Sequence, residues 1–176
     1  MLSEEEIIKI LKQITNLKHT CIIYLIYSSG LRLTEVVHLK ISDIDSDRML
    51  INIREGKGRK DRITILAKET LELLRKYFKN FKPKFWLFER YKEKQMNPRN
   101  IQKVFKNSLK RSGCLKDCSV HSLRHSFATH LLKKGEDTRT IQRLLGHKNI
   151  KTTEIYTHVT SKAIKGIRSP LDDLEI

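Results

Sequence analysis

The sequence predicts an α+β domain, mainly α-helical, with a small three-stranded antiparallel β-sheet. Three observations lead there. Apolar residues recur at a 3/4 spacing over most of the chain, as in helices buried on one face. Over residues 41–66 that spacing gives way to alternation, as in half-buried strands. The chain has 176 residues, 39% of them hydrophobic, with only 7 Gly and 3 Pro. A chain of this length hides roughly 70% of its unfolded surface in one core, and this composition is not that of a disordered tail.

The elements follow in order. Ser3 and Glu6 form a capping box ahead of Ile7, Ile8, Leu11 and Ile14, which opens a first helix. A second helix, from about Lys18 to Ser29, is apolar nearly all round and is expected at the centre of the core. Gly30 stops it, and Thr34 is expected to cap a short helix through Leu39. Ile41–Asp45, Met49–Ile53 and Arg62–Leu66 read as strands, the last two joined by the Gly-containing loop Glu55–Asp61. Helices are expected over 67–79, 97–112, 122–134 and 138–145, with short ones near 152–158 and 160–166. Pro83 and Pro98 fall in breaks. Ser122 is expected to cap the helix over 122–134, and Gly135 to end it. No internal repeat or flexible linker is visible.

The formal net charge is +16, from 36 Lys+Arg against 20 Asp+Glu. It is unevenly placed: residues 1–53 carry 6 basic and 7 acidic side chains, and residues 54–176 carry 30 and 13. A basic excess confined to part of a folded chain implies a polyanionic partner, nucleic acid first among them. No apolar run approaches the roughly 20 residues that span a bilayer. The acidic N-terminus does not read as a secretory signal. Three Cys are an odd number and do not make a disulfide framework, so a cytoplasmic setting is expected.

Four segments place polar residues where a structural role alone is a poor explanation. In Gly30-Leu31-Arg32-Leu33-Thr34-Glu35, Arg32 sits in a tight turn. It either pairs with a carboxylate such as Glu35 or aims its fork at an anion. Gly56-Lys57-Gly58, followed by Arg59, Lys60 and Arg62, reads as a basic finger at a hairpin tip. In His121-Ser122-Leu123-Arg124-His125, His121 and Arg124 are three apart on one helix face, away from the stripe of Leu123, Phe127 and Leu131. That pair suits an oxyanion: Arg holds two oxygens at once, and His donates or shuttles a proton. The fourth is Leu144-Leu145-Gly146-His147, with Tyr156 nine residues further on. A straight helix would hold His147 and Tyr156 roughly 13 Å apart, and a break at Asn149-Ile150 with Thr152 as a new cap would let Tyr156 fold back. Cys114, Cys118, His121 and His125 are zinc-type ligands, but their two-residue middle spacer is too short for a ββα finger, so no metal is expected.

Taken in order, these segments resemble the tyrosine recombinase/integrase family over almost the whole chain, and Xer-like, phage, integron and archaeal integrases in particular. The G-L-R-x-x-E box is Gly30–Glu35, the G-K-G hairpin Gly56–Gly58, the H-x-L-R-H box His121–His125, the L-G-H motif Leu145–His147, and the nucleophile segment Thr152–His158. The resemblance implies a DNA recombinase. Tyr156 attacks a scissile phosphate of duplex DNA, giving a 3′-phosphotyrosine and a free 5′-hydroxyl. Arg32, Arg124 and His147 hold the non-bridging oxygens, and Lys57 protonates the leaving 5′-oxygen. His121 takes the tyrosine proton, with His147 the second candidate, and Glu35 orients Arg32 or the neighbouring histidine. Arg59, Lys60, Arg62, Lys148 and Lys151 are expected on DNA phosphates. No cofactor is implied, and the working assembly is a homotetramer on two DNA sites. Residues 1–176 correspond to the catalytic domain. Complete members usually carry an N-terminal DNA-clamping domain as well, so a fragment is expected, or else a short member like the fimbrial-switch invertases. The 160–176 tail is expected to dock, on this chain or on a neighbour. A type IB topoisomerase, a non-catalytic DNA-binding module and a zinc-dependent binding domain are the rival readings.

Overall fold

The computed structural model describes residues 1–54, 61–90, 94–146, 164 and 166–175. Helices expected near 152–158 and 160–166 lie almost wholly outside them.

Helix α1 (Glu4–Leu11) opens as the sequence implies: the Ser3 hydroxyl accepts from the Glu6 N–H at 3.2 Å, and the Glu6 carboxylate accepts from the Ser3 N–H at 2.7 Å. Helix α2 (Leu17–Ser29) is the axle of the domain, with Cys21, Ile22, Ile23, Leu25, Ile26 and Tyr27 fully buried. It packs against α4 (Lys68–Phe81), α5 (Pro98–Arg111) and α6 (Val120–Lys133). This explains why its apolar residues have no preferred side.

The sheet is three-stranded and antiparallel, in the order β1 (Ile44–Asp45), β2 (Leu50–Ile53), β3 (Arg62–Ile65). Ile51 lies opposite Thr64, and Ile53 opposite Arg62. The first strand is shorter than expected. Ile41–Asp43 form a 3-10 turn because the Asp43 carboxylate accepts the Lys40 N–H at 2.9 Å and pulls the chain round.

Two helix starts also differ from expectation. The short helix α3 (Leu33–Val37) is capped from within, by the Glu35 carboxylate accepting the Arg32 N–H at 2.6 Å, so Thr34 falls in its first turn. Helix α6 begins at Val120 with Ser119 as its N-cap, and Ser122 reaches back to accept the Ser119 N–H at 3.2 Å. In α6 the expected cap, Ser122, is the acceptor at the third helical position, whereas in α3 that acceptor is Glu35, one residue beyond Thr34.

The last turn of α2 decides where the site lies. A helix end leaves carbonyls unpaired, and here three successive ones are met by three distant segments. The Ser28 carbonyl accepts from Ser169 Oγ at 2.7 Å, the Ser29 carbonyl from Thr64 Oγ1 at 2.7 Å, and the Gly30 carbonyl from Arg124. Ser169 belongs to the C-terminal segment, whose 3-10 turn Pro170–Asp173 packs on α2, α4 and α6 of its own chain.

Gly30 ends α2 at φ +64°, and a Cβ there would lie 2.6 Å from the Phe127 ring. Gly30→Ala combines left-handed strain with overpacking. It is expected to destabilise the fold by about 2–4 kcal/mol, read as a fall in urea midpoint at unchanged slope.

Candidate active site

Four side chains from three elements meet beside that last turn: Arg32 and Glu35 from the start of α3, Arg62 of β3 and Arg124 of α6. Glu35 of α3 stands at the centre, with a side chain only 8% exposed. Its Oε1 accepts from Arg32 Nη1 at 2.7 Å, and its Oε2 from Arg62 Nη2 at 2.9 Å. Arg124 Nη1 lies 3.9 Å from Oε2. Burial alone would raise the Glu35 carboxyl, but the Arg62 charge and the hydrogen bonds from Arg32 and Arg62 outweigh it, and the net shift is downward.

The guanidiniums are held from behind by helix ends. Arg124 donates to the Gly30 carbonyl at the end of α2 and to the Leu145 carbonyl at the end of α7 (Thr138–Leu145). Arg62 Nε donates to the Leu144 carbonyl at 3.1 Å. Carbonyl ends of helices carry partial negative charge, so they are suited to holding cations that a carboxylate alone does not saturate. Helix α7 is itself fixed by Asp137, which accepts from the N–H groups of Arg139 and Thr140 at 2.9 and 3.0 Å. It ends at Gly146 (φ +67°).

The arginines differ in access. Arg62 and Arg124 side chains are 7% and 5% exposed, whereas Arg32 is 34% exposed and reaches solvent. Arg124 therefore does not share a solvated helix face with His121. It turns inward, where carbonyls and Glu35 compensate its charge, and His121 stays exposed one turn earlier in α6. His121 lines a hollow of about 450 Å³, floored by Ile26, Leu31 and Val120, with Leu33 and Ser119 also on its wall. Leu31 and Leu33, the sequence neighbours of Arg32, line the same hollow as His121.

The structure thus brings Arg32, Glu35 and Arg124 together, while His121 lies exposed in the first turn of α6. It puts Arg62 elsewhere than expected: its guanidinium is enclosed within the cluster rather than carried on a surface finger. Lys57, Arg59, Lys60, His147, Lys148, Lys151 and Tyr156 lie outside the described residues. Thr64 and Ser169, the other two partners of α2's last turn, carried no signal in the sequence beyond being ordinary hydroxyl residues. Cys114, Cys118, His121 and His125 do not gather into a set of three or more metal ligands, and Cys114 Sγ lies against Glu6 at 3.8 Å instead. No helix among the described residues is long and apolar enough to cross a membrane.

Residues 1–163 match the phage integrase family. The tyrosine recombinase XerA of Pyrococcus horikoshii is 39% identical over 168 residues, which are 93% of this chain and 58% of that protein. A putative integrase/recombinase of Sinorhizobium fredii, y4qK, is 39% identical over 98% of this chain and 56% of its own length. The chain thus spans little more than half of these relatives. Among solved structures, a XerA recombinase superposes with a TM-score of 0.78 at 34% identity, covering 93% of this chain and 62% of that one. The XerH site-specific recombinase bound to its difH substrate, before cleavage, gives 0.74 at 28% identity, over 92% of this chain and 51% of that one. The catalytic core of lambda integrase gives 0.68 at 19% identity, a likeness of fold, over 85% of this chain and 92% of that one. With its arginine–glutamate cluster built on this mainly helical frame, the chain belongs to the phage integrase family.

Proposed function

We propose that the chain is the catalytic domain of a site-specific DNA recombinase that cuts and rejoins duplex DNA through a 3′-phosphotyrosine. The observation that carries this reading is the arginine cluster. Arg32 and Arg124 come from separate motifs and are fixed by Glu35 and by two helix ends, with the Arg32 side chain 34% exposed. Guanidiniums set in advance around a phosphate stabilise the charge that develops in phosphoryl transfer, at no cost of reorganisation. The XerH homologue was captured on DNA before and after cleavage, which supports the same substrate for this chain.

In this mechanism Tyr156 supplies the nucleophile. Arg32, Arg124 and His147 bear on the non-bridging oxygens, and His121 at the rim of the concavity takes the phenolic proton. Lys57 delivers a proton to the 5′-oxygen, and Arg59, Lys60, Lys148 and Lys151 hold flanking phosphates. Four protomers act on two DNA sites, in the cytoplasm, with no cofactor.

The test uses a pool of nicked duplexes with randomised sequence, labelled at the 5′ end of the cut strand. The protein is expected to give an SDS-resistant adduct that retains the label, as a 3′ linkage requires. No adduct, or an adduct on the other strand end, overturns the reading. Lys57→Ala is expected to lose the adduct on ordinary DNA and recover it on DNA with a 5′-bridging sulfur. A thiolate departs without a proton, whereas an alkoxide does not. Failure of the sulfur to restore cleavage would remove Lys57 as the acid.

A further inference from the structure

A basic residue at the foot of a lysine- and arginine-rich hairpin invites the reading of a DNA phosphate contact. The structure gives Arg62 internal partners instead. Its side chain is 7% exposed, and among the described residues its guanidinium donates to acceptors that diverge from it: Glu35, 27 residues back in the chain, and the Leu144 carbonyl, 82 residues ahead. Gly146 makes the fit possible, since a Cβ there would lie 2.5 Å from Arg62 Cδ and 2.7 Å from its Nε.

We infer that Arg62 is a positioning residue for DNA cleavage. Its guanidinium ties the carboxylate that orients Arg32 to the end of α7, and so sets α3, β3 and α7 in one register. The inference rests on the proposed strand-cleavage chemistry. Three points argue for it over a plain ion pair. The acceptors lie on two elements that each lead into a separate motif, Arg32 on one side and Leu145–His147 on the other. A lysine cannot replace the fork, because a single ammonium does not present planar donors in two directions. The Arg62 charge is also the largest influence keeping the buried Glu35 ionised. The charged groups that face Glu35, among the described residues, are Arg32 from its own helix, Arg62 from β3 and Arg124 from α6.

The experiment compares wild type, Arg62→Gln and Arg62→Lys on the nicked-duplex pool, reading the single-turnover adduct rate at saturating DNA, the DNA affinity at several salt concentrations, and the rate against pH. Arg62→Gln is expected to slow cleavage about 100-fold, the penalty of a misplaced catalytic group, with affinity within about 2-fold and an unchanged salt slope. The acid side of its pH profile is expected to move to higher pH, because Glu35 loses the charge that held it ionised. Arg62→Lys is expected to restore the acid side but only part of the rate. Weaker binding with a reduced salt slope and an unchanged saturating rate would make Arg62 a phosphate contact and overturn the inference. An equal loss of rate at every pH would reduce Arg62 to a structural pair and overturn it too. Carbon-13 NMR titration of the Glu35 carboxyl in the DNA-free protein separates this from the cleavage chemistry. If wild type forms no adduct, the strand-cleavage reading fails by itself. The positioning role then stands if Arg62→Gln raises the Glu35 titration and shifts the Arg32 Nε–Hε resonance, and falls if neither moves.

Discussion

Tyr156→Phe is expected to abolish the covalent DNA adduct while leaving DNA affinity within about 2-fold of wild type. The change removes one oxygen and keeps the ring. Affinity for duplex DNA rests on the number of phosphates neutralised by lysine and arginine, and a neutral phenol adds none. The covalent step has no such redundancy, since the bond formed is the one between this oxygen and phosphorus. Thr152, Thr153, Thr157 and Thr160 lie nearby in sequence, but an aliphatic hydroxyl is a far weaker acid than a phenol of pKa near 10 and is a poor substitute at neutral pH. An adduct of undiminished yield in the variant would place the nucleophile on another residue, and peptide mapping of the adduct would show which.

Arg124→Ala is expected to combine two losses that can be measured apart. Cleavage at saturating DNA should fall about 10²–10³-fold, the cost of removing one preset donor from a developing oxyanion. The fold should lose about 2 kcal/mol as well, because the Gly30 and Leu145 carbonyls forfeit a donor in a place water does not readily reach. Denaturant melts report the second loss, and the adduct rate per folded molecule the first. Arg124→Lys separates charge from geometry. An ammonium keeps the charge but cannot serve two carbonyls and a phosphate together, so most of the rate should stay lost. A lysine variant at near wild-type rate would show that position 124 contributes charge alone.

Much of this was legible in the sequence, and the particular failures share a cause. Ser3 with Glu6, the all-round apolar face of α2, and the alternation across β2 and β3 are local signals, and each element formed where they point. Arg32 and Glu35 were readable as partners because they lie three apart at a helix start. The buried course of Arg124 was not readable, because what compensates its charge lies 94 and 21 residues away. Arg62 misled for the same reason: amid Arg59, Lys60 and Asp61 it looks like surface, and only a carboxylate and a carbonyl from other parts of the chain make its burial tolerable. The start of α6 slipped because Ser122, a capping acceptor at the third helical position, is easily taken for the cap itself, and that of α3 because Thr34 is a usual cap residue while Glu35 does the capping.

The last turn of α2 also says something about time. As the chain is made, the Ser28 carbonyl waits for Ser169, which comes 141 residues later. At a ribosome's roughly 5–20 residues per second, that interval is on the order of 10 s. Throughout it, a half-made chain displays an arginine-bearing turn that has yet to receive Thr64, Arg124 and finally Ser169. The order of translation thus leaves this turn unfinished until Ser169 has been made.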